Sequence, residues 1–127
     1  MTLKRTVGIL LFNEVEVLDF AGPFEVFSLA ENAANNKYFD VITIAENQAP
    51  ISARNGLQVI PDYNLASYPD IDVISHTRFV DASDDTCNIV TSAGISAGIH
   101  ASLYCIEKLI DSKTMSATAH RMEFDIN

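Results

Sequence analysis

The tightest constraint on this chain is the run Val7-Gly-Ile-Leu-Leu-Phe12, apolar at every position and set just after basic Lys4 and Arg5. A half-exposed strand alternates polar and apolar residues. An unbroken apolar run is covered on both faces, as in a central strand of a parallel sheet. Asn13 and Glu14 break the run, and Val15, Val17 and Leu18 lead on to Asp19. Gly22-Pro23 then predicts the first turn of a helix, where proline gives up no hydrogen bond the helix needs. Phe24, Val26, Phe27 and Leu29 supply its apolar face, and Asn32–Lys37 ends it. Tyr38–Ala45 reads as a second strand. Strand, helix and strand within roughly forty residues form a βαβ unit with a right-handed crossover.

Further along, Arg54-Asn55-Gly56 lies between Pro50–Ala53 and Leu57–Ile60, a hairpin signal. Asn64–Tyr68 predicts a single helical turn before Pro69. Asp70–Ile74 reads as a third core strand that continues into Ser75–Asp81 with the alternation of a half-exposed strand. Asn88–Thr91 is a short strand. A helix follows from its N-cap Ser96 to Asp111, with Ile99, Leu103, Ile106 and Leu109/Ile110 at helical spacing. A last helix over Thr114–Phe124 carries Met115, Thr118 and Met122 on one face. No repeat, low-complexity segment or linker divides residues 1–127, so a single domain is expected.

Charge and composition narrow the functional classes. The chain has 127 residues, with 17 acids against 8 Lys plus Arg and a formal charge of -9. Such a surface repels phosphate backbones, which argues against nucleic acid as a partner. No apolar stretch approaches the ~20 residues of a membrane span, and the N-terminus lacks a signal-peptide layout. A soluble, cytoplasmic setting without membrane partners is the expectation. Cys87 and Cys105 share no CxxC or His-linked spacing, so neither a disulfide framework, a metal site nor a cofactor is signalled.

Two blocks carry a resemblance. Val7–Phe27, with the phrase Leu18-Asp-Phe-Ala-Gly-Pro-Phe-Glu-Val-Phe27, and Ala53–Tyr63 resemble the DJ-1/PfpI (ThiJ) superfamily. Within it, the chain is similar to the branch of isonitrile hydratases and the N-terminal domains of AraC-like regulators. Ile89–Ile99 resembles that family's later strand-to-helix turn, and Ala119–Asp125 its last helix. The resemblance implies an α/β fold: a three-layer, flavodoxin-like sandwich of the class I glutamine amidotransferase-like kind, here with a reduced, mainly parallel sheet. It also implies what is missing. Family members continue from the strand matching Asp70–Ile74 into a Pro-Gly-Gly loop, and later reach a nucleophile elbow bearing a reactive cysteine. Here Ile74 runs at once into Ser75-His-Thr-Arg-Phe-Val80. An internal deletion after Ile74 would remove the elbow, its cysteine and the strand and helix that carry it.

The resemblance makes Asp19 the acid beside the nucleophile, where a carboxyl shares a proton with a thiolate or acts as general acid and base. Read from the residues alone, Asp19 is an acid favoured by the dipole at a helix start. Gly22, Ser92 and Gly94 are the candidate ligand-contacting positions, although Ser92 and Ser96 also fit as helix caps. Neither cysteine suits catalysis. Cys105 falls mid-helix among Leu103, Ile106 and Leu109, and Cys87 follows Asp84 and Asp85, whose charge raises a thiol pKa. His76, His100 and His120 share no ligand spacing, and the Gly94 and Gly98 pair is too sparse for a dinucleotide fingerprint.

The expected function is therefore non-catalytic: an interaction or small-ligand module, or a remnant of the family. One alternative is an isonitrile hydratase-like lyase or other small-molecule enzyme using Asp19. A sensor domain related to AraC-like regulators is the other. Loss of a strand–helix unit would leave a strand edge and apolar faces uncovered, so a homodimer or higher oligomer is expected.

Overall fold

The computed structural model describes residues 4–76, 88–91 and 95–125. Strand β1 (Arg5–Leu10) leads into helix α1 (Val17–Leu29) and strand β2 (Phe39–Ala45). A small hairpin follows, β3 (Ile51–Ser52) and β4 (Gln58–Val59), and then β5 (Tyr63–Asn64) and β6 (Val73–His76). The chain closes with β7 (Asn88–Thr91), α2 (Ile95–Leu109) and α3 (Ser112–Arg121). Five strands form one sheet in the order β5-β2-β1-β6-β7, and every pairing in it is parallel. The fold is thus α/β with a flavodoxin-like strand order, and the run at Val7 occupies the sheet's middle strand.

Alternation along β1 divides the sheet's two faces. Val7 and Ile9 share a core with Val26 and Phe27 of α1, Leu103 and Ile106 of α2, and Ala119 of α3. The three helices therefore pack around one side of the sheet. Phe27 and Phe39 meet edge to face at 5.0 Å, a contact worth about 0.5–1.5 kcal/mol beyond area burial. On the opposite face Gly8 lies under Ile71 and Ile44. A Cβ at Gly8 would stand 2.8 Å from the Ile71 Cδ1, so glycine is what allows Ile71 to lie so close.

Polar side chains fasten the elements where ladders end. Asp72 accepts a hydrogen bond from the Thr6 amide at 2.7 Å, and its own amide donates to the Thr6 carbonyl, fixing β6 beside β1. Asp62 and Thr43 do the same for the chain entering β5. The last carbonyls of two helices meet cations: Arg5 donates to the Leu109 carbonyl at 2.8 Å, and Arg121 to that of Leu29 at 3.3 Å.

Four sequence expectations are corrected. Helix α1 begins at Val17 and not at Gly22-Pro23, so Asp19 lies in its first turn and Pro23 inside it. An interior proline ordinarily costs roughly 3 kcal/mol, through a lost bond and a clash with the carbonyl four residues back. Pro23 is fully buried beside Val26 and Phe27. Burying an apolar side chain contributes about 1.5–3 kcal/mol, enough to offset most of that loss. Second, Asn64–Tyr68 is not a helical turn. Tyr63–Asn64 pairs with Ile44–Ala45, and the chain then reverses under hydrogen bonds from the Ala66 and Ser67 amides to the Asn64 side chain. Third, α2 starts at Ile95, which places Ser96 inside the helix and not at its cap. Fourth, the last helix spans Ser112–Arg121, with Asp111 as N-cap accepting from the Thr114 amide at 2.6 Å. The expected continuation of β6 over residues 77–81 lies outside the described residues.

Candidate functional site

In an open parallel sheet, ligands bind at the carboxyl ends of the strands, where the chain order reverses. Here that point falls between β1 and β6, because the chain moves from β1 outward to β2 and β5 and then returns to β6. Three pieces converge on this edge: the loop from β1 to α1, the first turn of α1, and the β3–β4 hairpin.

The loop and the hairpin hold one another. The Glu14 amide donates to the Ser52 carbonyl at 2.8 Å, and the Arg54 amide to the Val15 carbonyl at 2.9 Å. The Ser52 amide donates to the Asn13 side chain at 2.9 Å. Asn55 and Gly56 both take positive φ, 69° and 94°, which is what the Asn-Gly pair supplies to the tight turn. The turn brings the Arg54 guanidinium onto the Glu16 carboxylate.

Asp19 sits in the first turn of α1, half-buried, beside that ion pair. Burial is the main cause pushing its carboxyl above the usual aspartate range; Glu16 adds to the rise and Arg54 opposes it. A helix N-terminus alone would favour the charged acid. Desolvation and a neighbouring carboxylate outweigh the guanidinium here, and the carboxyl is raised. Phe12 and Leu18 stand exposed close by in the chain, and Leu57 on the hairpin.

Gly22, one turn further along α1, is buried against α2. A Cβ there would stand 3.1 Å from the Ile99 Cγ1, so its small size serves the α1–α2 contact. Ser92 and Gly94 lie outside the described residues, as does Cys87. Cys105 is buried mid-helix, 4% exposed, and burial pushes its thiol up to about 12. His100 packs edge to face on Phe124 at 5.0 Å, and His120 is exposed in the last turn of α3. Among the described residues, Asp19 is joined to none of Cys105, His100 and His120. The charges beside Asp19 are Glu16 and Arg54. The signal for Arg54 was a cation at the tip of a hairpin within the family-like Ala53–Tyr63 block.

Among the described residues, no group of three His, Cys, Asp or Glu is placed to hold a metal ion. No described helix is long and apolar enough to cross a membrane. Among the concavities that the described residues line, two flank the sheet. One, of 220 Å³, opens between the ends of β1 and β2 and is lined by Leu11–Asn13, Ala45–Asn47 and Ala49–Ile51. The other, of 330 Å³, lies at the opposite edge between α1 and α3. Asp19 lines neither.

No family model matches the sequence, and no curated protein matches it. Solved structures do. An AraC family transcriptional regulator from Pseudomonas putida superposes with a TM-score of 0.75 at 10% identity, covering 93% of this chain and 99% of that one. A ThiJ/PfpI family protein from Pseudomonas syringae gives 0.75 at 14% identity, over 99% of this chain and 77% of that one. DJ-1beta of Drosophila melanogaster gives 0.74 at 12% identity, over 97% and 100%. With its parallel sheet, strand order and helix placement, the chain has the fold of the DJ-1 and ThiJ/PfpI proteins.

Proposed function

We propose that the chain is a DJ-1/PfpI superfamily member that has kept the acid of the site without thiol chemistry, and serves as a small-ligand or interaction module. The observation that carries this is the separation of acid and thiol. Asp19 is grouped with Glu16 and Arg54, while Cys105 is buried in α2 with its pKa raised to about 12. A thiol held neutral in an apolar core is a packing residue. The sequence adds a second support. The link between parallel strands β6 and β7, residues 77–87, is shorter than the dozen or more residues a parallel crossover ordinarily takes. That is where an internal deletion would leave its mark. With β7 as a sheet edge among the described residues, self-association through that edge belongs to the same proposal.

The test is catalytic. Isonitrile hydration and glyoxalase turnover are measured with the purified protein and with Asp19→Asn. Background rates for both proteins agree with the module reading. Turnover that Asp19→Asn abolishes establishes the alternative, a hydratase-like lyase. The Pseudomonas putida regulator's fold motivates a sensor-domain reading, which gains if the protein shows saturable small-molecule binding lost in Asp19→Asn without any turnover. Light scattering reads the oligomeric state, and a well-folded monomer counts against self-association.

A further inference from the structure

The amino edge of the sheet, remote from Asp19, carries the concavity between α1 and α3. Its 330 Å³ lies at the lower end of the range typical of small-molecule sites. Leu29, Ala33 and Ala117 give it apolar walls, and Tyr38 adds a half-buried phenol.

Its charge is unusual for this chain. Only 8 residues are Lys or Arg against 17 acids, yet Lys113 and Arg121 line it, and Lys37 reaches its Glu31. Two carboxylates face them, and both are already engaged. Glu31 is shared by Lys37 at 3.0 Å and by Arg121. Asp111 spends its carboxylate on the Thr114 amide. With Lys37 sharing Glu31 and the Thr114 amide engaging Asp111, the two lining cations face carboxylates that are already committed.

Donors remain unspent. Arg121 meets Glu31 and the Leu29 carbonyl through Nη1, which leaves the Nη2 and Nε hydrogens of its fork without a partner among the described residues. Lys113 makes no ion pair or hydrogen bond among them either. Along α3, Lys113, Ala117 and Arg121 repeat every fourth residue and so share a face, with the small alanine leaving room between the two cations.

We propose that this cavity binds a small organic monocarboxylate with an apolar body. The carboxylate takes the open side of the Arg121 guanidinium in the field of Lys113. The body lies over Ala117 against Leu29, Ala33 and Tyr38. A planar fork with free N–H groups selects a carboxylate by geometry, and the adjacent guanidinium and ammonium disfavour an amine.

Benzoate is the probe, with benzylamine and benzyl alcohol as matched cation and neutral controls. Amide shifts are followed in titrations of the full chain. Benzoate is expected to move Ala33, Tyr38 and Ala117 saturably and to bind better than either control. Lys113→Glu, on an exposed side chain, is expected to weaken benzoate by roughly tenfold. Ala117→Leu, which fills the cavity with a good helix former, is expected to abolish binding while the melting temperature holds. Asp19→Asn is expected to leave benzoate affinity unchanged. Equal or tighter binding of benzylamine, shifts confined to another surface, or no saturable shift at millimolar benzoate would each overturn the proposal.

Discussion

The two ends of the sheet carry the same chemical parts and tune them in opposite directions. At the carboxyl edge Asp19 stands near an arginine, yet burial and Glu16 push its carboxyl up. At the amino edge Glu31, with its side chain 19% exposed, hydrogen-bonds Lys37 and pairs with Arg121, and its carboxyl is drawn down. An acid beside an arginine therefore says little by itself. What decides is the whole surrounding: burial and then Glu16 outweigh Arg54 at Asp19, whereas the Lys37 hydrogen bond leads at Glu31 and Arg121 adds to it.

The largest effect tests whether the two ends share one cooperative core. Phe27 is 1% exposed between α1 and β2, so Phe27→Ala is expected to destabilise the chain by about 3–5 kcal/mol. Denaturant melts read by amide signals from both ends should shift together. Separate midpoints would break the picture of one core.

Smaller effects should be confined to one end each. Asp111→Ala removes the N-cap of α3 and is expected to cost about 1 kcal/mol. Arg54→Ala removes an exposed ion pair, 57% and 39% exposed, and should cost less than about 1 kcal/mol. It should nevertheless move the Asp19 carboxyl further up, because the one favourable charge beside it is gone. A carbon-detected titration of the side-chain carboxyls reads that shift.

The smallest effect is the sharpest comparison, because its sign differs between the ends. Asp19 holds its proton more tightly folded than unfolded. Its contribution to stability is present below its ordinary value of 3.8 and is lost as pH rises through the raised one. Asp19→Asn should therefore raise the melting temperature at pH 7 and lose that advantage below pH 3.8. Glu31 behaves oppositely. Its contribution is present above 4.5 and is lost as pH falls through the depressed value. Glu31→Gln should lower the melting temperature at pH 7, with the deficit fading in acid. Paired melts across pH check both signs.

Much of this fold could be read from the chain because its first strand is an unbroken apolar run and its last two helices place apolar residues at helical spacing. Val7–Phe12 is such a run, Tyr38–Ala45 is rich in aromatic and β-branched residues, and Leu103, Ile106 and Thr118 fall on faces the structure buries. Features set by distant partners were not readable. The start of α1 was misplaced because Gly-Pro is a strong local helix opener, whereas burial of the Pro23 ring is a tertiary effect. β5 was missed because two residues pair with β2 through hydrogen bonds that leave no propensity signal. At the site Asp19 was found through a motif. Glu16 and Arg54 come together only because the hairpin folds back onto the β1–α1 loop, across a separation no periodicity spans.

Whether a thiolate meets Asp19 decides the account, and native alkylation measures it most directly. Iodoacetamide is applied to the folded protein from pH 6 to 9, and modified peptides are mapped by mass spectrometry. The expected result is no modification of Cys105 until the chain is unfolded. A cysteine that reacts at pH 6 as fast as at pH 8, and loses that reactivity in Asp19→Asn, would be a thiolate paired with the acid and would contradict the account.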